Sequence, residues 1–246
     1  MIYKLKIKAN IRIIMKIFIA VPAYQGMCHI KFMESVSALF LLLTKNNIDF
    51  HFFTLTSESL ISRARNICAT HFLKSDCTHM MFIDTDIVFH PKDVIKMLAL
   101  DLNVVCGVYP YKTLSFDSLK KNMNVSNSLS DLITKSALYC IEKNSYQDQI
   151  CITEYAQTGF MLIKKNVLIK IKDEYHDDIV YENDISGYEV YSDNNKFYDF
   201  FKICIDKGRY LSEDYGFCSL VKKVKEHIHI DTSIHLTHIG QFHYYG

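Results

Sequence analysis

Phe82-Ile83-Asp84-Thr85-Asp86-Ile87-Val88-Phe89 sets two carboxylates, two residues apart, between apolar runs. Residues 80–83 read as a buried strand that carries the acids to its end. On a continuing strand, residues i and i+2 point to one face, so Asp84 and Asp86 are expected to converge. Two unpaired charges beside a core are costly, and the pair is therefore expected to hold a cation. Hard oxygen ligands suit Mg²⁺ or Mn²⁺, which bridge to phosphate oxygens. This is the chemistry of a nucleoside-diphosphate site. An isolated Asp-x-Asp also fits a solvated turn, but the flanking apolar runs weigh against that.

Upstream, residues 17–21 read as a buried strand ending in the loop Pro22-Ala23-Tyr24-Gln25-Gly26. A helix follows over 31–45, with Phe32, Val36, Leu39, Phe40 and Leu43 at helical spacing. Residues 48–55 form the next strand. Ser57 is placed to N-cap a helix running to Leu73, with Glu58 near its start and Ile61, Ala64, Cys68 and Phe72 on one face. Downstream, Pro91 opens a helix after His90, and residues 103–108 make another strand. The alternation predicts an α/β domain with a largely parallel sheet, in which ligands bind at the carboxyl ends of strands.

The second half is harder to read. Residues 111–149 are polar and weakly periodic, a long loop over the site. Order returns over 151–164, where Thr158-Gly159-Phe160-Met161 interrupts an apolar strand with glycine, for a close backbone approach by a ligand or for a bulge. It lapses again in the acidic, Tyr-rich stretch 173–200. Ser212-Glu213-Asp214 then starts a last helix with Phe217, Leu220, Val221 and Val224 on one face.

The 246 residues suffice for one domain with a sizeable core. A formal net charge of +1 supplies no field to draw the chain onto nucleic acid, which excludes general DNA or RNA binding. The 8 cysteines form no C-x-x-C pair and sit mostly among apolar neighbours, as reduced residues of a cytosol-like compartment do. The longest helical apolar run, residues 36–43, falls short of the roughly 20 residues that span a bilayer. Residues 1–15 are an N-terminal extension of doubtful structure. Lys4, Lys6, Lys8 and Arg12 interrupt its apolar residues and leave no signal-peptide core. Translation starting at Met15 is one reading of it, and a membrane-surface anchor the other.

Three further groups carry chemistry. In Ser62-Arg63-Ala64-Arg65-Asn66, Arg63 or Arg65 offers a charged fork suited to a diphosphate, or faces solvent on the helix. Glu213 and Asp214 stand at a helix N-terminus, where they complement its dipole or serve as a general base. Leu236-Thr237-His238-Ile239-Gly240, followed by His243, brings an imidazole that a divalent site can use.

Taken in order, Ala20-Val21-Pro22-Ala23-Tyr24, Ser62-Arg63-Ala64-Arg65-Asn66, Asp84-Thr85-Asp86, Thr158-Gly159-Phe160, Ser212-Glu213-Asp214-Tyr215-Gly216 and Thr237-His238-Ile239-Gly240 resemble the glycosyltransferases of the GT-A fold. The compact layout is similar to the small glycosyltransferases of large DNA viruses, and the Arg-Ala-Arg-Asn helix to certain mannosyltransferases. The resemblance implies a single Rossmann-like α/β domain over 16–246 with a mixed, mostly parallel sheet. It implies metal-dependent transfer of a sugar from a UDP- or GDP-sugar to a glycan or other hydroxyl acceptor, in the cytoplasm. Asp86 would be the main Mn²⁺ or Mg²⁺ ligand, Asp84 would reach the ribose or the metal through water, and His238 would be the C-terminal ligand, with His243 as substitute. Pro22 and Tyr24 would line the nucleoside pocket and Arg65 would lie near the base or diphosphate, with Asn66, Thr85 and Gly159 also in the donor site. Asp214, or else Glu213, would be the base of an inverting single displacement; if these acids only cap the helix, a retaining mechanism follows.

Two other functions compete. A sugar nucleotidyltransferase would carry a Gly-rich, Arg-containing loop after the first strand, where this chain has Pro22-Ala23-Tyr24-Gln25-Gly26. A non-catalytic nucleotide-sugar or glycan-binding protein would keep the scaffold without its acids, and the set Asp84, Asp86, Asp214 and His238 argues against it.

Overall fold

The computed structural model describes residues 15–139 and 148–240. The first half alternates as expected: β1 (Lys16–Ala23), α1 (Ile30–Lys45), β2 (Asp49–Thr56), α2 (Ile61–Lys74), β3 (His79–Ile83), a short β4 (Ile87–Val88), α3 (Pro91–Ala99) and β5 (Val104–Gly107). An arm follows, made of β6 (Pro110–Leu114), α4 (Phe116–Asn122), α5 (Leu129–Ser136) and β7 (Ala137–Tyr139). The rest comprises β8 (Ile150–Thr153), β9 (Phe160–Lys164), α6 (Lys165–Ile179), β10 (Val180–Glu182), β11 (Lys196–Tyr198), β12 (Cys204–Asp206), β13 (Arg209–Leu211), α7 (Glu213–Lys223), β14 (Ile228–Asp231) and β15 (Thr237–His238).

Seven strands form one mixed sheet in the order β2-β1-β3-β9-β5-β14-β8. β2, β1, β3, β5 and β14 run one way; β9, inserted between β3 and β5, and the edge strand β8 run the other. The expected α/β architecture with a mostly parallel sheet is thus present. Its central strands are the continuous apolar runs, as burial on both faces requires. Side-chain alternation divides them: Phe18, Ala20, Met80 and Phe82 pack with α2, α6 and α7 on one face. Ile17, Ile19, Val21, Met81 and Ile83 pack with α1 and α3 on the other.

Several local expectations are corrected. Ser57 does not cap α2. It adopts φ 65°, and the N-cap position falls to Leu60, which makes no side-chain cap. The buried Glu58 takes over, accepting from Leu60 N at 2.8 Å and pairing with Arg63 at 2.7 Å. α3 begins as read, with Pro91 at its first turn and a reciprocal cap between His90 and Asp93. The supposed loop over 111–149 is largely the structured arm, whose helices are capped by Ser115 and Ser128. No hydrophobic side chain on α4 or α5 is buried, so neither helix writes a core-facing stripe into the sequence.

Residues 151–164 are two strands, not one. β8 pairs with β14, and β9 with β3 and β5, so Gly159 lies in the approach to β9. The stretch 173–200 contains the end of α6 and the β10–β11 hairpin, with Phe197 and Phe200 in the core. Its acidic residues mask the buried face Val167, Leu168, Ile171 and Ile179 of α6. Apart from Met15, the N-terminal extension lies outside the described residues, as does His243. Among the described residues, no helix is long and apolar enough to cross a membrane.

Candidate active site

The carboxyl ends of β1 and β3 open into a cleft of about 340 Å³. Pro22 and Tyr24 line it from the first strand end, and Asp84, Thr85 and Asp86 from the second, facing Tyr109 and His238. Glu58, Ser59, Ile61 and Gln157 complete the wall. The volume lies within the range of small-molecule pockets, roughly 300–1,000 Å³.

The two acids do not converge. β3 ends at Ile83, and Ile87 N donates to Asp84 O at 3.1 Å, closing a turn through Asp84-Thr85-Asp86. The strand geometry that would have set both side chains on one face ends before them. Asp84 turns to Arg65, whose Nη1 and Nη2 each donate to a carboxylate oxygen at 3.2 Å. Arg65 is only 3% exposed and lies over the Phe82 ring at 5.4 Å. Its Nε stands 3.8 Å from Glu213 Oε1 and 3.9 Å from Asp214 Oδ1.

One guanidinium therefore links the acidic turn to the start of α7. Burial disfavours its charge, but the carboxylates of Asp84 and Asp214 outweigh that and hold its pKa above the usual value. Burial, with Asp214 alongside, pushes the Glu213 carboxyl up, while Arg65 pulls the other way. Asp214 Oδ1 is buried without a hydrogen-bond partner.

Gly159 closes the back of this group. Asp84 N donates to Gly159 O at 3.0 Å, and Gly159 N donates to Tyr109 Oη at 3.1 Å. A Cβ on Gly159 would come within 2.4 Å of Tyr109 Oη and 2.5 Å of Asp84 Oδ2. The close approach expected of this glycine is made by the protein's own side chains. Burial raises the Tyr109 phenol well above its ordinary pKa, with Asp84 and Asp214 adding to the effect.

Asp86 has different neighbours. β15 pairs with β4 so that His238 stands opposite Ile87, and Ile239 N donates to Asp86 O at 2.9 Å. His238 Nδ1 lies 2.8 Å from Pro110 O, an acceptor, so this nitrogen carries the proton. The other ring nitrogen, Nε2, faces Asp86 Oδ1 at 3.6 Å. The Lys112 ammonium pairs with Asp86 Oδ2.

Other expected site residues lie elsewhere. Asn66 is buried, donates to Asp199 Oδ1 at 2.7 Å and accepts from Phe201 N at 2.8 Å, so it braces the core instead of lining the cleft. Arg63 is held by Glu58. Glu213 and Asp214 do not line the cleft; they stand across Arg65 from Asp84. Tyr109 and Lys112 were not anticipated. Tyr109 follows a strand end, which is a usable signal, whereas Lys112 carries none.

The donor set can be weighed against a divalent cation. Among the described residues, no three His, Cys, Asp or Glu side chains come together to hold one. With Asp84 engaged by the buried Arg65, the donors toward the cleft are Asp86, itself paired with the half-exposed Lys112, and the oriented His238. An imidazole whose other nitrogen is fixed by a carbonyl is the arrangement metal ligands adopt. Two protein ligands suit an ion completed by phosphate oxygens and water.

No protein-family model matches the chain, and no curated protein matches it. Among solved structures, GalNAc-T7 with UDP, GalNAc and Mn²⁺ is similar at 8% identity and a TM-score of 0.48, over 94% of this chain and 45% of that one. S. aureus TarS 1–349 is similar at 10% identity and a TM-score of 0.47, over 91% and 60% respectively. The 4-diphosphocytidyl-2C-methyl-D-erythritol synthase of Anaerococcus prevotii is similar at 9% identity and a TM-score of 0.37, over 72% and 81%. The chain spans about half the length of the first two, 45% and 60%.

Proposed function

We propose that residues 16–246 form a GT-A glycosyltransferase domain, which takes a sugar from a UDP- or GDP-sugar, with a divalent cation, and passes it to a glycan or other hydroxyl acceptor. The observation that carries this reading is the pairing of Asp86 with a tautomer-fixed His238 beside an open cleft at the strand ends. Buried cysteines outside any disulfide, such as Cys68 and Cys77, suit action in the cytoplasm.

Asp86 and His238 would hold the ion, and Asp84, kept in place by Arg65, would serve the ribose or reach the ion through water. Mn²⁺ or Mg²⁺, when bound, supplies positive charge against the leaving diphosphate. Pro22 and Tyr24 line the nucleoside pocket, and the half-exposed Tyr24 ring offers a face to the base. Thr85 and Gly159 contribute through the backbone of the acidic turn. Arg65, saturated by carboxylates, is a positioning residue that keeps Asp84 and the start of α7 in register.

Asp214 is the general base. Its carboxylate, on a side chain that stays 20% exposed, accepts the proton of the acceptor hydroxyl as the hydroxyl oxygen bonds to the anomeric carbon and the bond to the diphosphate breaks, with inversion. Burial, with Asp214 alongside, raises the Glu213 carboxyl and disfavours its charged form, which makes Glu213 the weaker candidate for the base.

The test is a panel of UDP- and GDP-sugars incubated with the protein, with and without Mn²⁺, and read by mass spectrometry. Consumption of one donor, dependent on Mn²⁺, is the expected result. If no donor is consumed, and calorimetry finds no metal-enhanced binding of UDP or GDP, the reading is wrong. Tight metal-dependent nucleotide binding without turnover would instead mark a binding protein.

A further inference from the structure

Lys112 has no place in the chemistry above, yet its ammonium lies on the same carboxylate that is to hold the cation. The geometry is built, not incidental. Lys112 stands on β6, two residues after Pro110, whose carbonyl orients His238. Its aliphatic stem passes over Gly240, where a Cβ would come within 3.2 Å of Lys112 Cδ. His238 faces Asp86 Oδ1 while Lys112 takes Oδ2, so imidazole and ammonium divide one carboxylate between them.

An ammonium and a divalent ion on one carboxylate repel each other strongly at such short range. The pair is also only partly shielded from water, with side-chain exposures of 40% for Lys112 and 34% for Asp86, so the lysine can leave at modest cost. We infer that Lys112 and the divalent cation are alternative partners of Asp86. In the ion-free protein Lys112 occupies the carboxylate and latches the stem of the arm to the acidic turn. Ion binding displaces it, and the freed ammonium becomes a counter-charge for the diphosphate arriving beside it. Lys112 is thus a second diphosphate-binding group and a check on ion binding without nucleotide. This rests on Asp86 and His238 being the cation site.

The test is Mn²⁺ titration of the full chain, followed by electron paramagnetic resonance, with no nucleotide present. Lys112→Met is expected to bind Mn²⁺ about three- to fivefold more tightly than wild type, because no ion pair has to be broken. Lys120→Met, which removes the same charge from α4 of the same arm, should change affinity by less than about twofold. Asp86→Asn should abolish binding in both the wild-type and the Lys112→Met backgrounds. Hydrogen exchange over Pro110–Leu114 should rise when Mn²⁺ is added to wild type and stay level in Lys112→Met.

Equal affinities for wild type and Lys112→Met, with Asp86→Asn still abolishing binding, would overturn the part given to Lys112 and leave the cation site standing. So would an equal gain from Lys120→Met, which would reduce the effect to overall charge. Binding seen only once UDP or GDP is added, and equal in wild type and Lys112→Met, would likewise overturn only the part given to Lys112. No Mn²⁺ binding in any variant even with UDP or GDP present, or binding indifferent to Asp86→Asn, would overturn the cation site and the inference together.

Discussion

His238 Nε2 faces Asp86 Oδ1 at 3.6 Å because a two-stranded ladder lays Thr237–His238 against Ile87–Val88. The imidazole reaches the acidic turn from the far end of the chain with its tautomer already set by Pro110 O. His238→Ala should therefore weaken Mn²⁺-dependent binding of UDP or GDP by about 100-fold or more, beyond the roughly 10–100-fold typical of losing an outer-shell partner. Asp86→Ala should abolish it. Calorimetry decides; undiminished affinity in either variant removes that residue from the site.

Arg65 is the sole cation within ion-pair distance of Asp84, Glu213 and Asp214 among the described residues. Replacing it with Met strands these carboxylates in a poorly solvated setting. The expected loss is about 3 kcal/mol, at the low end for breaking a buried pair because the acids keep some contact with water. Urea denaturation at pH 7 measures it. The deficit should shrink in acid, since Glu213, whose carboxyl burial raises, gives up its charge there; a deficit constant with pH would mean that lost packing against Phe82 dominates.

Asp214→Asn should retain donor binding and slow transfer by about 10²–10⁴-fold, the usual range for a missing general base. Glu213→Gln should have the smaller effect, since burial raises its carboxyl and disfavours its charged form. Rates from the donor assay with saturating Mn²⁺ compare the two. A larger loss in Glu213→Gln would exchange their assignments, and near-normal transfer in both would point to retention.

His79 gives the fold a pH dependence remote from the cleft. Burial, with Lys164 nearby, lowers its pKa from 6.5 to about 4. The unfolded imidazole binds a proton below about pH 6.5, whereas the folded one stays neutral until about pH 4. Stability is thus fully present above the upper value and is lost as pH falls across that window. His79→Gln should flatten the decline, read as urea midpoints at pH 7 and pH 4.5. Parallel curves for the two proteins would show that other groups set the slope.

Much of the fold was legible in local spacing. The runs of β1 and β3, the faces of α1 and α7, and the Pro91 start of α3 all show in the sequence, because burial on a strand or helix leaves a periodic trace within a few residues. The arm left none, since its helices bury no apolar side chain, and α6 was hidden by the acids on its solvent face. The late strand β14 went unread for another reason: its four residues, Ile228–Asp231, are too short to display a period.

The site divides along the same line. Sequence alone determined that Asp84 and Asp86 stand at the end of a buried strand, that Pro22 and Tyr24 end its neighbour, and which other side chains carry useful chemistry. Only the tertiary structure decided that the chain turns at Asp84, sending one carboxylate to Arg65 and the other to His238 and Lys112. Burial is written locally, in the pattern of apolar residues. The partner of a charge is set by whichever segment the packing brings alongside, and for Asp86 those segments come from the arm and the C-terminal ladder.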